Sequence, residues 1–109
     1  MSDESFRVEY YLAADESCPF QEWLCGLRDR IAESRIRARL ARVRCGNFGV
    51  NKSLGDGVHE LKIDHGPGYR LYYALAGKMV VLLLIGGDKS TQSRDIGIAK
   101  GYWKDYRER

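Results

Sequence analysis

At 109 residues, with 44% hydrophobic side chains and only two prolines, the chain can bury one core and is too apolar to be disordered. Its net charge of +3 is unevenly spread: residues 1–23 carry six acids and one base, whereas residues 28–52 carry eight bases and two acids. That asymmetry points to a polyanion or an acidic protein as partner, and the longest apolar run, Met79 to Ile85, is far too short to span a bilayer.

Phe6, Val8, Tyr10 and Leu12 alternate with Arg7, Glu9 and Tyr11, which predicts a half-buried strand with the first set inward. Ser17-Cys18-Pro19 predicts a helix start, because proline at the first helical position gives up an N–H that would have no partner there. Phe20, Trp23, Leu24, Leu27 and Ile31 follow at helical spacing and are expected to face the core. A second helical pattern, continuous with the first or broken near Asp29 to Ser34, turns Ile36, Leu40 and Val43 inward. Gly46 is placed to end it in a left-handed cap.

Asn47 to Gly57 reads as a loop. Val58 to Asp64 and Tyr69 to Ala76 read as strands joined by the turn His65-Gly66-Pro67-Gly68. Gly77-Lys78 is the expected hairpin turn into Met79 to Ile85, a strand rich in Val, Leu and Ile that should be buried on both faces. Gly86 to Thr91 turns the chain into a last helix, from about Gln92 to Tyr106, whose Tyr102, Trp103 and Tyr106 pack inward or form a surface that a partner covers. The order β-α-α-β-β-β-α defines one α+β domain over residues 1–109: a mainly antiparallel twisted sheet with helices on one face.

Alternate side chains of a strand share a face. Glu60 and Lys62 therefore point one way, and the next strand points Arg70 and Tyr72 together. A register set by the Gly-Pro-Gly turn brings these four onto the helix-free face, and Lys89 and Gln92 can close one end of the patch. Cutting an RNA strand through its ribose 2′-hydroxyl needs a base for that proton, a charge to stabilise the phosphorane and an acid for the leaving 5′-oxygen. Arg70 suits the middle task, since its planar fork matches two phosphate oxygens. Glu60 is a candidate base. Lys62 and Lys89 are candidate phosphate clamps, and either can serve as acid or base if crowding by cations lowers its pKa. The competing reading is a Glu-Lys-Arg ion-pair network on a solvated sheet.

A second constellation is the arginine helix. Arg28, Arg35, Arg39 and Arg42 form one stripe beside the apolar face, with Lys52 beyond it. The stripe reads as a track for the phosphates of ribosomal RNA, as a contact for an acidic protein segment or as a solvated helix face. His59 falls on the core-facing phase and His65 in an exposed turn. Gly66-Pro67-Gly68 is not a phosphate loop, because no helix follows it. Gly86 to Thr91 lacks P-loop spacing, although its amides lead into a helix and can hold a phosphate. Cys18, Cys25 and Cys45 lack metal-ligand spacing, even with the two histidines, and read as small core fillers. Their odd number and the missing signal peptide predict a reducing cytoplasm.

Five segments carry a family likeness: Cys18-Pro19-Phe20…Trp23-Leu24, Ile36…Arg39-Leu40…Gly46-Asn47-Phe48-Gly49, Gly57-Val58…Glu60-Leu61-Lys62-Ile63, Gly66-Pro67-Gly68-Tyr69-Arg70…Tyr72-Tyr73, and Gly86-Gly87-Asp88-Lys89-Ser90-Thr91-Gln92…Asp95-Ile96…Ala99. Together they resemble the addiction-module killer branch of the RelE/ParE toxin superfamily, which includes the HigB-like toxins. The resemblance covers nearly the whole chain. It implies a ribosome-assisted mRNA endoribonuclease that uses no metal or cofactor. The implied partners are mRNA, the ribosome with its 16S rRNA, and a co-encoded antitoxin whose helix-turn-helix domain alone contacts operator DNA. Glu60 to Lys62, Arg70, Lys89 and Gln92 map onto the site face of such toxins. Two departures stand out. The second-strand cation, often Arg in similar sequences, is Lys62, and the last helix has no His or Tyr placed as a general acid or base. The same likeness leaves two other expectations open: a ParE-like toxin that inhibits DNA gyrase, and a degenerate module that only binds antitoxin.

Overall fold

The computed structural model describes residues 5–109. Asp3 and Glu4 of the acidic N-terminal stretch, and the first four positions of the expected 1–109 domain, lie outside the described residues. The elements run β1 (Arg7–Tyr10), α1 (Pro19–Cys25), α2 (Arg30–Arg44), β2 (Asn51–Ser53), β3 (Val58–Ile63), β4 (Tyr69–Gly77), β5 (Val80–Gly87), a 3-10 turn at Lys89–Thr91, and α3 (Gln92–Arg107). The strands form one five-stranded sheet in the order β1-β5-β4-β3-β2. β1 runs parallel to β5, and every other neighbouring pair is antiparallel. The class is α+β, as expected, with one strand more than the expected order.

The added strand, β2, lies inside the segment read as a loop. Its Asn51, Lys52 and Ser53 are all exposed, so no apolar alternation marks it. Its neighbour nevertheless fixes it, pairing Asn51 with Leu61, Lys52 with Glu60 and Ser53 with His59. The hairpin turn into β5 also shifts by one residue. Gly77 pairs with Val80, leaving Lys78 and Met79 at the tip.

Both faces of the sheet are covered. Phe20 and Leu24 of α1 and Ile36, Leu40 and Val43 of α2 bury one face with Leu61, Ile63, Leu71, Tyr73, Val81 and Leu83. Ala99, Ile96, Tyr102, Trp103 and Tyr106 of α3 cover the other, over Val58, Tyr72, Ala74, Leu82 and Leu84. The expectation of helices on one face and a helix-free site face is corrected accordingly. The cause is visible in β4 and β5, which carry large apolar residues on both phases. Burying each of these is worth roughly 1.5–3 kcal/mol, so an uncovered face would forfeit a large part of the core. A bulge between Tyr72 and Tyr73 lets both Leu84 and Ile85 lie on the α3 side.

Three further expectations change. Tyr11, expected outward, is buried under α3, where its hydroxyl donates to Asp105 Oδ2 at 2.7 Å and its ring stacks on Tyr102. Leu12, expected inward, lies beyond β1 and is 45% exposed. Ile31 is 60% exposed, because the first helix ends at Cys25 and the second restarts with a new phase. Asp29 sets that restart by accepting from the amides of Ile31 and Ala32. Arg28 therefore lies outside α2 and leaves the arginine stripe. Cys25 and Cys45 are exposed and Cys18 is half-buried, so none is a core filler. Both exposed thiols fall at helix C-terminal ends. Among the described residues, no helix is long and apolar enough to cross a membrane.

Candidate functional site

The β3–β4 register puts Lys62 directly opposite Arg70 and Glu60 directly opposite Tyr72. The neighbouring strands extend both rows. Lys52 on β2 stands opposite Glu60, and Gly87 on β5 opposite Arg70. Lys52 thus joins the face of Glu60 and Tyr72 and stands apart from the α2 arginines. At this end of the sheet the face emerges from beneath α3, and the first side chain of that helix reaches down to it: Gln92 Nε2 donates to Glu60 Oε1 at 2.9 Å.

Glu60 and Arg70 are each only 6% exposed. Arg70 Nε lies 3.5 Å from Glu60 Oε1, and Arg70 Nη1 donates to the Gly68 carbonyl at 2.6 Å. Gly68 is in the left-handed region at φ 79°, and a Cβ there would come within 3.2 Å of Arg70 Nη1. The turn glycine therefore serves two needs: the backbone angle and the close approach of the guanidinium. Two polar atoms of this cluster, Arg70 Nε and Tyr72 Oη, are buried without a hydrogen-bond partner among the described residues. Burial first, then the charges of Glu60 and Asp95, pushes the Tyr72 phenol well above the ordinary tyrosine range.

Lys62 and Lys89 are exposed at the rim. Lys62 Nζ lies 3.6 Å from Asp64 Oδ1. Lys89 opens the 3-10 turn, which Asp88 caps by accepting from Ser90 N at 2.8 Å. The Ser90 hydrogen bonds, with a smaller contribution from the charge of Arg70, hold the Asp88 carboxyl below the usual range. An open cavity of about 330 Å³ lies alongside, lined by Lys89 to Arg94. The five residues singled out for catalysis, Glu60, Lys62, Arg70, Lys89 and Gln92, thus come to one end of the sheet. Arg70 and Glu60 sit beneath the surface, held in fixed orientation, and the two lysines ring them. Such an arrangement can hold a phosphate against a preoriented guanidinium with a carboxylate beside it.

The glycines that precede the site act as clearances. A Cβ on Gly86 would collide with the Trp23 ring of α1, and one on Gly87 with the Asp95 carboxylate of α3. Asp95 is 3% exposed and accepts from Thr91 Oγ1 at 2.5 Å. These contacts fix where the turn leaves β5, and hence where Lys89 and Gln92 stand. Sequence reading missed this role. The pairing of two small residues with a Thr and an Asp four positions apart was the available signal.

The α2 arginines divide. Arg39 is half-buried and donates to the carbonyls of Lys62, Phe48 and Val50 at 3.0–3.1 Å, tying α2 to the loop before β2 and to β3. Burial first, then the charge of Arg42, pushes its pKa below the ordinary arginine range. Arg35 and Arg42 are exposed, and among the described residues neither enters an ion pair. His65 is not free in its turn: Nε2 shares a hydrogen bond with Asp29 Oδ2 at 2.9 Å, joining α2 to the β3–β4 turn. His59 stacks on Tyr73. Among the described residues, no group of three or more His, Cys, Asp or Glu side chains is arranged to hold a metal ion.

No protein-family model matches the chain, and no solved structure matches it. An uncharacterized protein of Haemophilus influenzae is 49% identical to it over 81 residues, which cover 74% of this chain and 82% of that protein. The aligned stretch is long enough to include most of the fold. The chain belongs to the same family as that Haemophilus influenzae protein.

Proposed function

We propose that the protein is a RelE-like toxin of the HigB-like kind, a cytoplasmic endoribonuclease that cuts mRNA with the help of the ribosome. The observation that carries this reading is the Lys62–Arg70 pair, set face to face beside the buried Glu60 and closed at one end by Lys89 and Gln92. In the proposed step the ribose 2′-oxygen attacks the adjacent phosphorus as Glu60 takes its proton, while Gln92 holds the carboxylate in place. Arg70 stabilises the charged phosphorane. The bond to the 5′-oxygen breaks, and Lys62 or Lys89 supplies the proton to that oxygen. The products are a 2′,3′-cyclic phosphate and a 5′-hydroxyl. Protein side chains supply every group in this step. A co-encoded antitoxin with a helix-turn-helix domain is the partner that holds the activity in check.

One observation favours a second reading. Arg70 is already engaged by Glu60 and the Gly68 carbonyl and barely reaches solvent, as befits a structural ion pair in an antitoxin-binding module. Primer extension on mRNA from cells expressing the chain separates the two. New ends at a fixed codon position, with growth arrest, support the nuclease. Intact mRNA with normal growth supports the module, and intact mRNA with DNA damage supports a gyrase inhibitor.

A further inference from the structure

The two exposed α2 arginines line a groove at the edge of β3, on the opposite side of the sheet from Arg70. Two adjoining cavities lie between α2 and the end of β3. One, of about 310 Å³, is lined by residues that include Arg39, Arg42, Asn47 and Lys62. The other, of about 220 Å³, is lined by Arg35, Arg39 and Arg42 with Ile63 and Asp64. Arg39 belongs to the wall, since its guanidinium is fixed on backbone carbonyls. Arg35 and Arg42 face the groove and, among the described residues, enter no ion pair. Among the described residues Asp64 is the one acid lining it, and that carboxylate lies beside Lys62 Nζ. Three arginines and a lysine around one acid make a crowded positive site, which an anion would relieve.

Lys62 is the link. It lines the groove, and in the β3–β4 ladder it stands opposite Arg70. A strand lying in the groove reaches Arg70 by passing round the β3 edge at Lys62. A string of phosphates fits this layout better than an isolated anion, because the exposed cations follow one another along the two cavities: Arg35, Arg42, then Lys62. We infer that the α2 groove binds the substrate strand itself, single-stranded RNA on one side of the cleaved phosphate, through Arg35 and Arg42. This inference rests on the nuclease reading, and it assigns the arginines to the strand being cut instead of to the ribosome.

The test measures binding of a labelled single-stranded RNA whose 2′-hydroxyls are methylated, so that it cannot be cut. Its affinity for the intact protein is followed against salt concentration. Arg35→Gln/Arg42→Gln should weaken binding on the order of tenfold near 0.1 M salt and flatten the log–log salt slope by about 1.4, for two lost phosphate contacts. Arg35→Lys/Arg42→Lys, which keeps the charge, should restore most of the slope. Both pairs lie on an exposed helix surface, and thermal melting checks that they fold. Unchanged affinity and slope in the glutamine variant overturn the inference. So does a polyglutamate peptide of equal charge that binds as tightly and loses as much on substitution, because the groove would then read charge on a protein. Binding that behaves as expected, in a protein that cuts no mRNA in cells, would support the groove and sink the nuclease reading alone.

Discussion

Lys62 and Arg70 stand directly opposite each other in the β3–β4 ladder, two cations on one face. Like charges placed so are destabilising. Each is relieved by an acid of its own, Asp64 at 3.6 Å for Lys62 and Glu60 at 3.5 Å for Arg70. The two acids differ in setting. Asp64 is exposed, whereas Glu60 is buried, so the Arg70 pair is the one whose loss the fold will register.

Arg70→Ala should therefore act twice. It strands a buried carboxylate, which should cost about 3–5 kcal/mol of stability. Adding Glu60→Gln removes the stranded charge and should restore part of that loss, as read by urea unfolding. If the proposed activity holds, the folded single variant should lose on the order of 10²–10³ in single-turnover cleavage on programmed ribosomes. Cleavage at the parent rate would show that Arg70 is not the phosphate clamp.

Gly87→Ala should be destabilising by about 1–3 kcal/mol, because the new methyl overlaps the Asp95 carboxylate. Combining it with Asp95→Ala should recover stability relative to the sum of the single changes. Strict additivity in unfolding measurements would mean that the strand shifts and the two residues do not meet.

Arg39 and Arg42 are neighbours on one helix with opposite expectations. Arg39→Ala removes a clamp on three carbonyls and should cost about 1–3 kcal/mol, with lysine a poor replacement for the fork. Arg42→Ala should stay within about 0.5 kcal/mol of the parent. Equal effects in thermal melts would remove the distinction drawn between wall and groove.

Asp29 links stability to pH. Hydrogen bonds from the Ala32 amide first, and from His65 next, hold its carboxyl below the usual range. A carboxyl with a depressed folded pKa contributes stability fully above its unfolded value, about 3.9, and loses it as pH falls through the folded value. Asp29→Asn keeps a capping oxygen but loses the charge. The stability gap between parent and variant should therefore narrow as pH is lowered from about 6 to about 2. A gap that stays constant across that range in urea titrations would show that the charge plays no part.

Much of the site's placement was readable from residues alone. Period-two alternation put Glu60, Lys62, Arg70 and Tyr72 on one phase, and the Gly-Pro-Gly turn fixed their register. The start of α3 at Gln92 was equally plain from the turn before it. Other features were set by tertiary contacts that leave no local mark. The cover of α3 over the site face depends on how the chain turns after Gly87, not on any pattern within the helix. β2 is polar on both phases and becomes a strand only because β3 offers it a ladder. Arg39 looks like its neighbours in sequence, and only the approach of the Phe48–Val50 backbone makes it a clamp.

The parallel pairing of β1 with β5 has a consequence for the chain as it is made. Of the described strands, β1 is synthesised before the other four, and its partner after them. The antiparallel run from β2 to β5 can close by local hairpins, whereas β1 must wait across most of the chain length. Until it arrives, the leucine-rich β5 has one unpaired edge, a template for association with other chains. We predict that Val8→Ala in β1 speeds unfolding while leaving the folding rate nearly unchanged, because the strand docks after the transition state. A matching drop in the folding rate in stopped-flow experiments would place β1 in the nucleus instead. On this account the nascent sheet is most vulnerable along the β5 edge, in the interval before β1 closes it.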